Sequence, residues 1–340
     1  MKLMRTEDAV GQVLCHDITQ IIKGVTKDAV FRKGHIITEE DIPVLLSVGK
    51  DHIYIWENNE NMLHENDAAK ILYDMCANKH MTPSEIKEGK IELIAECDGL
   101  LKVDTERLNA VNALGEMMIA CRHGNFPVKK GDKIAGTRII PLVIEKEKRE
   151  RAKKAAGEKP IFELIPFKKM KAAIVNTGNE VFYGRIKDTF TPVIIEKLKE
   201  YGAEVVGHVV SDDNHEHITA AIQKFLDEGV DMVLCTGGMS VDPDDRTPLA
   251  IKNTGAEIVT YGAPVLPGAM FLLSYYGEKK RPVIGLPGCV MYAKRTIFDL
   301  VLPRIVAGEI LKKTDIDTLG EGGLCLNCPV CTFPNCGFGK

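Results

Sequence analysis

Between residues 170 and 310, short apolar runs alternate with amphipathic runs of helical spacing. MKAAIV leads to FTPVIIEKLKEYG, AEVVGHVV to HEHITAAIQKFLDEG, and DMVLC to TPLAIKNTG; AEIVTYG, RPVIGL and CVMYAKRTIFDLVLP complete the series. The short runs read as buried strands, and the long apolar segment at the end reads as one helix. Repeated βαβ units predict a parallel sheet covered by helices on both faces, a three-layer α/β fold.

The connections after three of these strands carry the chemistry. Residues 231–248 read DMVLCTGGMSVDPDDRTP. Here Gly237 and Gly238 can take positive φ and bring the backbone close to a ligand. An acidic loop follows with Asp242, Asp244 and Asp245, and then Thr247 as N-cap and Pro248 as first helical residue. In an open α/β sheet this order lies at the carboxyl ends of the strands, where ligands bind. Any one such glycine turn is as well explained as a tight βα connection. IVNTGNEV (174–181) and IGLPGCVMYAK (284–294) repeat the arrangement, however, and three strand-end loops in one domain read as a built site.

Bulk properties narrow the class. With 340 residues the chain is long enough for two or three cores. A net charge of −4 leaves no basic excess to suggest nucleic acid. No apolar run reaches the roughly 18 residues needed to span a membrane, and MKLMRTEDAVGQ lacks the apolar core of a signal peptide. The expectation is a cytoplasmic protein whose cysteines are thiols or metal ligands rather than disulfides. Residues 1–144 read as a smaller α+β and β-rich region, with helices over EEDIPVLLSV, 62–78 and 105–115 and a hairpin at Asp98-Gly99. His16-Asp17, Arg122 and His123 are best explained there as structural or exposed strand-end polars. The charged stretch 145–169 reads as a connector, and the domain boundary is placed in it.

Residues 170–310 resemble the molybdopterin-binding domain shared by molybdopterin molybdotransferases, molybdopterin adenylyltransferases and gephyrin. The resemblance rests on NTGNEV, TGGMSVDPDDRT, GAPVLPGAM and GLPG in the family's order. It implies that Thr236, Gly237, Gly238, Met239 and Ser240 cradle the pterin phosphate, with Thr177, Gly178 and Glu180 beside them. It implies an acidic role in catalysis for Asp242, Asp244 or Asp245, with Mg²⁺. Pro264, Pro267 and Gly268 match the proline-rich loop, and Gly285, Pro287 and Gly288 match the GLPG turn. The implied ligands are molybdopterin and molybdate, the implied activity is metal insertion, and the implied partners are molybdoenzymes or other cofactor-biosynthesis proteins. A homo-oligomer is expected. The sequence departs from the molybdotransferases at Asn179, where an acidic residue is usual, and at Cys289-Val290, where Asn-Pro is usual. The front half lacks their DGYA-containing segment, and no β-barrel domain is expected after residue 310. PDDRT and GRIKDTF (184–190) also resemble the related domain of competence-damage proteins, which act on nucleotides. That leaves a nucleotide pyrophosphatase and a non-catalytic molybdopterin carrier or sensor as alternatives.

The last stretch, 320–340, is separate. Of ten cysteines, Cys325, Cys328, Cys331 and Cys336 fall here with the spacing C-x2-C-x2-C-x4-C. The segment is too short and too rich in glycine and proline to bury a core, so its cysteines either order it through a shared ligand or leave it disordered, and a metal is the economical ligand. Four thiolates can converge on one centre, either zinc or a 4Fe–4S cluster, whose ligand runs begin in the same way and take the fourth cysteine from farther off. The lack of two separated C-x-x-C knuckles favours the cluster.

Overall fold

The structure, a computed structural model, describes residues 2–55, 61–240, 242–243 and 245–340. The chain divides into two compact units. The first comprises Met1–Glu96, Val103–Arg122 and Lys130–Glu163; the second comprises Cys97–Lys102, His123–Lys129 and Leu164–Lys340. The main division falls near residue 163, and the second unit also takes two earlier segments. These pair with each other, Leu101 opposite Phe126 and Gly99 opposite Val128. The connector itself begins with a helix, Lys146–Ala156, which buries Ala152 and Ala156.

The first unit is strand-rich. Its largest sheet orders Met81–Pro83, Lys90–Ala95, Lys133–Ile139 and Met117–Cys121, all antiparallel. The helix Glu65–Cys76 starts three residues later than its apolar pattern suggests, because Met62–His64 pairs as a strand with Val143–Glu145. His64 caps that helix: its Nδ1 accepts from Asn66 N at 3.2 Å while Nε2 donates to the Cys15 carbonyl at 2.9 Å. Burial holds its pKa below the ordinary value, which favours the neutral ring that this pairing needs. Trp56, the last residue of the expected strand HIYIW, lies outside the described residues.

The second unit is built on six strands: β1 (Lys171–Thr177), β2 (Glu204–Ser211), β3 (Met232–Thr236), β4 (Glu257–Tyr261), β5 (Leu272–Tyr276) and β6 (Arg281–Leu286). Their order is β2-β1-β3-β6-β5-β4. The first four pair in parallel, while β5 runs antiparallel to both β6 and β4. The sheet is therefore mixed. The sequence reading missed β5 because FLLSYY follows the proline-rich loop without a helix between it and β4.

Alternate residues of each strand feed opposite cores. Ala172, Ile174, Met232, Leu234, Ile284 and Leu286 pack under helices α1 (Phe190–Lys199) and α4 (Ile297–Val306). Ala173, Val175, Val233, Cys235 and Val283 pack under α2 (His215–Asp227) and α3 (Thr247–Asn253). The three-layer α/β architecture is thus observed. The expected helix CVMYAKRTIFDLVLP is not continuous: a short 3₁₀ turn covers Gly288–Met291, and α4 begins only after Thr296. Thr296 and Asp299 form a capping box there, which fixes the new start. Among the described residues no helix is long and apolar enough to cross a membrane.

Candidate functional site

The turn after β3 is held from below by threonines. Thr247 Oγ1 donates to the Gly237 carbonyl at 2.9 Å, and Thr177 Oγ1 lies 3.1 Å from Thr247 Oγ1. Thr236 is fully buried and donates to Asn176 Oδ1 at 2.9 Å. These contacts tie the end of β3 to the end of β1. Gly237 has φ +85°, and a Cβ there would meet the Thr177 carbonyl, a backbone atom that cannot move aside. The glycine is required first by the neighbouring strand end.

Above this turn lies a cleft of about 550 Å³. Its lining includes Gly237, Gly238, Met239, Ser240, Asp245, Pro287 and Gly288, all expected from sequence. Phe190, Ala269, Met270, Cys289, Met291 and Tyr292 complete it; they lie in the stretches GRIKDTF, GAPVLPGAM and IGLPGCVMYAK, but none was singled out from sequence as a site residue. Tyr292 is 77% exposed, unusual for an aromatic residue beside a core helix. Met239 is nearly buried and packs against Gly285 and β5, so it forms the floor of the cleft. Tyr261 donates to the Met239 carbonyl at 3.1 Å and braces the turn from β4.

The acidic residues separate. Asp245 reaches the cleft, and its Oδ2 accepts from Ser240 N at 2.8 Å. Asp242 is exposed and is not among the lining residues. Asp244 lies outside the described residues. A further carboxylate, Asp213, follows β2 and accepts from Asn179 N at 2.9 Å. Burial, and then the charges of Glu180, Asp245 and Asp212, push its pKa up. Negative charge therefore accumulates where β1, β2 and β3 end, and an oxygen-seeking divalent cation would relieve it. Among the described residues, no group of three or more His, Cys, Asp or Glu side chains is placed to hold a metal ion. Magnesium commonly uses one or two carboxylates and takes its remaining ligands from phosphates and water, so this arrangement fits it.

Pro264, Pro267 and Gly268 do not line the cleft. Ile297 N donates to the Pro267 carbonyl at 3.3 Å, and Gly268 packs against Ile297. The proline-rich loop thus supports the start of α4, and its next residues, Ala269 and Met270, reach the cleft. Behind the opposite wall, Lys197 Nζ donates to both carboxylate oxygens of Asp299, at 2.7 and 2.8 Å, and to the Lys294 carbonyl at 3.1 Å. This buried pair secures the segment that runs from Pro287 to α4.

Part of the cysteine-rich tail packs into the core of the second unit, more than expected of a segment too rich in glycine and proline to bury a core. Phe338 is 4% exposed, and Phe333, Cys325 and Cys336 pack against the same core as α4. Cys328 and Cys331 are exposed. The cysteine arithmetic underestimated how much two phenylalanines can bury.

A family model described as "Probable molybdopterin binding domain" matches residues 173–307, and one described as a domain of unknown function matches residues 3–57. A molybdopterin molybdenumtransferase of Synechococcus elongatus is 28% identical over 163 residues, covering 45% of this chain and 38% of that protein. A putative competence-damage inducible protein of Bacillus cereus is 30% identical over 129 residues, covering 36% and 31%. The chain thus spans less than two-fifths of the length of these relatives. Among solved structures, the molybdopterin biosynthesis enzyme MoaB of Thermus thermophilus shares 23% identity, covering 42% of this chain and 99% of that one, with a TM-score of 0.34. The match of residues 173–307, over the strands and turns that build the cleft, places this part of the chain in the molybdopterin-binding domain family.

Proposed function

We propose that the second unit binds molybdopterin in the cleft above Gly237 and Gly238, in the service of molybdenum cofactor biosynthesis. The observation that supports this reading most is the convergence of the β3 glycine turn, Asp245 and the Pro287–Gly288 turn on one cleft at the carboxyl ends of the strands. Backbone amides of the turn take the pterin phosphate, and the apolar side chains of Phe190, Met270 and Met291 take the ring system. Asp245 orients the turn through Ser240 N and, with Glu180 and Asp213 nearby, holds Mg²⁺ beside the phosphate. When bound, that ion supplies positive charge to the phosphate oxygens. Molybdate is the second substrate in this reading; Asp245 carries the catalytic acidic role, Asp244 remains a further candidate, and Asp242, exposed and outside the cleft lining, is set aside. The reading also keeps a metal centre, iron–sulfur or zinc, at the tail cysteines. The assembly is a homo-oligomer that delivers its product to cofactor-biosynthesis proteins or molybdoenzymes.

A second reading is favoured by the similarity to a putative competence-damage inducible protein over 129 residues and by the stretches PDDRT and GRIKDTF: hydrolysis of a nucleotide pyrophosphate. Titration calorimetry with molybdopterin, followed by assays with molybdate and with ADP-ribose in Mg²⁺, separates the two. Molybdopterin binding followed by molybdate-dependent turnover supports insertion, and binding without turnover supports a carrier. Hydrolysis of ADP-ribose without molybdopterin binding overturns the proposal.

A further inference from the structure

All four tail cysteines line one cavity of about 250 Å³. Cys325 and Cys336, half-buried, flank the exposed Cys328 and Cys331, so the chain folds back to bring together residues eleven positions apart in sequence (325 to 336). Phe333 and Phe338 form an apolar wall, and Lys294 and Arg295 border the space. A single zinc ion would draw all four sulfurs to about 2.3 Å from one point. Among the described residues no group of three or more His, Cys, Asp or Glu side chains is placed to hold one ion, while the four cysteines line a common space. A cluster brings its own volume of iron and sulfide and holds its thiolates farther apart. Its negative charge suits Lys294 and Arg295, and low solvent access on the phenylalanine side suits a buried cluster face.

The tail is also tied to both flanks of the cleft. Leu266 N donates to the Gly323 carbonyl, and Cys325 N donates to the Leu266 carbonyl, each at 2.8 Å. Gly323 lies so close to the Pro264 carbonyl that a Cβ would stand 2.6 Å from it. This joins the tail to the loop that continues into Ala269 and Met270. Lys294 Nζ donates to the carbonyls of Cys328 at 3.1 Å and Pro329 at 2.7 Å. That joins the cysteine turn to the segment carrying Pro287, Met291 and Tyr292.

We propose that Cys325, Cys328, Cys331 and Cys336 ligate one 4Fe–4S cluster in this cavity, and that its presence sets the two loops flanking the cleft. The second half rests on the molybdopterin reading of the cleft. A preassembled cluster arrives from a donor protein with its irons and sulfides unchanged in oxidation state. Each thiol loses a proton as its sulfur bonds to iron, so four protons leave and the donor's thiolates are released. Cluster occupancy fixes the Cys328–Pro329 turn and, through Lys294 and Leu266, both walls of the cleft.

The test uses the full chain purified without oxygen, with and without reconstitution by iron salts and sulfide. Expected are about four irons and four labile sulfides per chain and broad absorption at roughly 400 nm. Cys328→Ser and Cys331→Ser, both at exposed positions, should keep the fold by circular dichroism and lose the cluster. Stoichiometric zinc in the purified protein, or no iron retained after reconstitution, overturns the assignment. Molybdopterin affinity is then compared between the loaded protein and the Cys328→Ser/Cys331→Ser double variant, with a loss of about fivefold or more expected. Equal affinities overturn the coupling. No molybdopterin binding by either form overturns the reading of the cleft and the coupling with it, while the iron and sulfide contents still decide the cluster.

Discussion

The hydroxyl of Thr247 donates to the carbonyl of Gly237 across 2.9 Å, and so binds the first turn of α3 to the glycine turn that closes β3. Thr177 stands 3.1 Å from the same hydroxyl, so one side chain links two strand-end loops. Replacing Thr247 by Val keeps the shape and leaves the half-buried Gly237 carbonyl without this donor. The cost is expected to be about 1–3 kcal/mol, read as a lowered denaturant midpoint, and ligand affinity should fall because the turn loosens. An unchanged midpoint would show that the hydroxyl holds nothing.

Gly237→Ala is expected to destabilise the second unit before it touches any ligand. Its Cβ meets the Thr177 carbonyl, and φ +85° is strained for alanine. A loss of roughly 2 kcal/mol or more is expected from the overpacking and strain together. A variant with wild-type stability and abolished ligand binding would return the glycine to a role at the phosphate alone.

The acidic loop should not behave as a unit. Asp245 reaches the cleft and holds Ser240 N, whereas Asp242 is exposed outside it. Asp245→Asn is expected to lower Mg²⁺-dependent turnover by ~10²-fold, and Asp242→Asn to leave it nearly unchanged. The reverse ranking in a side-by-side assay would refute this division.

Lys197 and Asp299 form a buried ion pair, and Arg295 Nη1 adds a second cation 2.8 Å from Asp299 Oδ1. Lys197→Met removes one of those cations and frees the Lys294 carbonyl. Breaking such a pair costs about 3–5 kcal/mol when nothing else compensates, and Arg295 should hold the loss to the lower end. Thermal unfolding measures it. A variant as stable as the parent would mean that Arg295 alone satisfies the carboxylate.

In the first unit, burial and then the neighbouring Glu88 push Glu65 up to about 7. Its folded pKa lies above the unfolded value, so the neutral acid is favoured by folding. That stabilisation is complete below pH ~4.5 and is lost as the pH rises through about 7. Stability should therefore decline between pH 5 and pH 8 by an amount on the order of 2 kcal/mol. Glu65→Gln should flatten the decline and unfold at a higher temperature than the parent at pH 8. Parallel pH profiles for the two proteins would remove Glu65 as the cause.

The sequence by itself determined the layers and the central turn. Strand and helix runs in the second unit carry their period locally, and Thr236-Gly237-Gly238 marks a strand end by its own backbone freedom, so neither needed a distant partner to be legible. The tertiary structure decided what those turns face. Which strand lies beside which depends on pairing across long separations, and β5 is reversed because it hairpins onto β6, a choice that periodicity does not encode. Met239 becomes the floor of the cleft because it meets Gly285 from another strand. Phe190, Met270 and Tyr292 become its walls because their own elements end there. The tail shows the same limit: its cysteine spacing carried the expectation of a shared metal, but only the packing shows the contacts with Leu266 and Lys294 that tie the tail to segments flanking the cleft. Spacing along a chain records which atoms could meet, and the packing of distant segments decides which of them do.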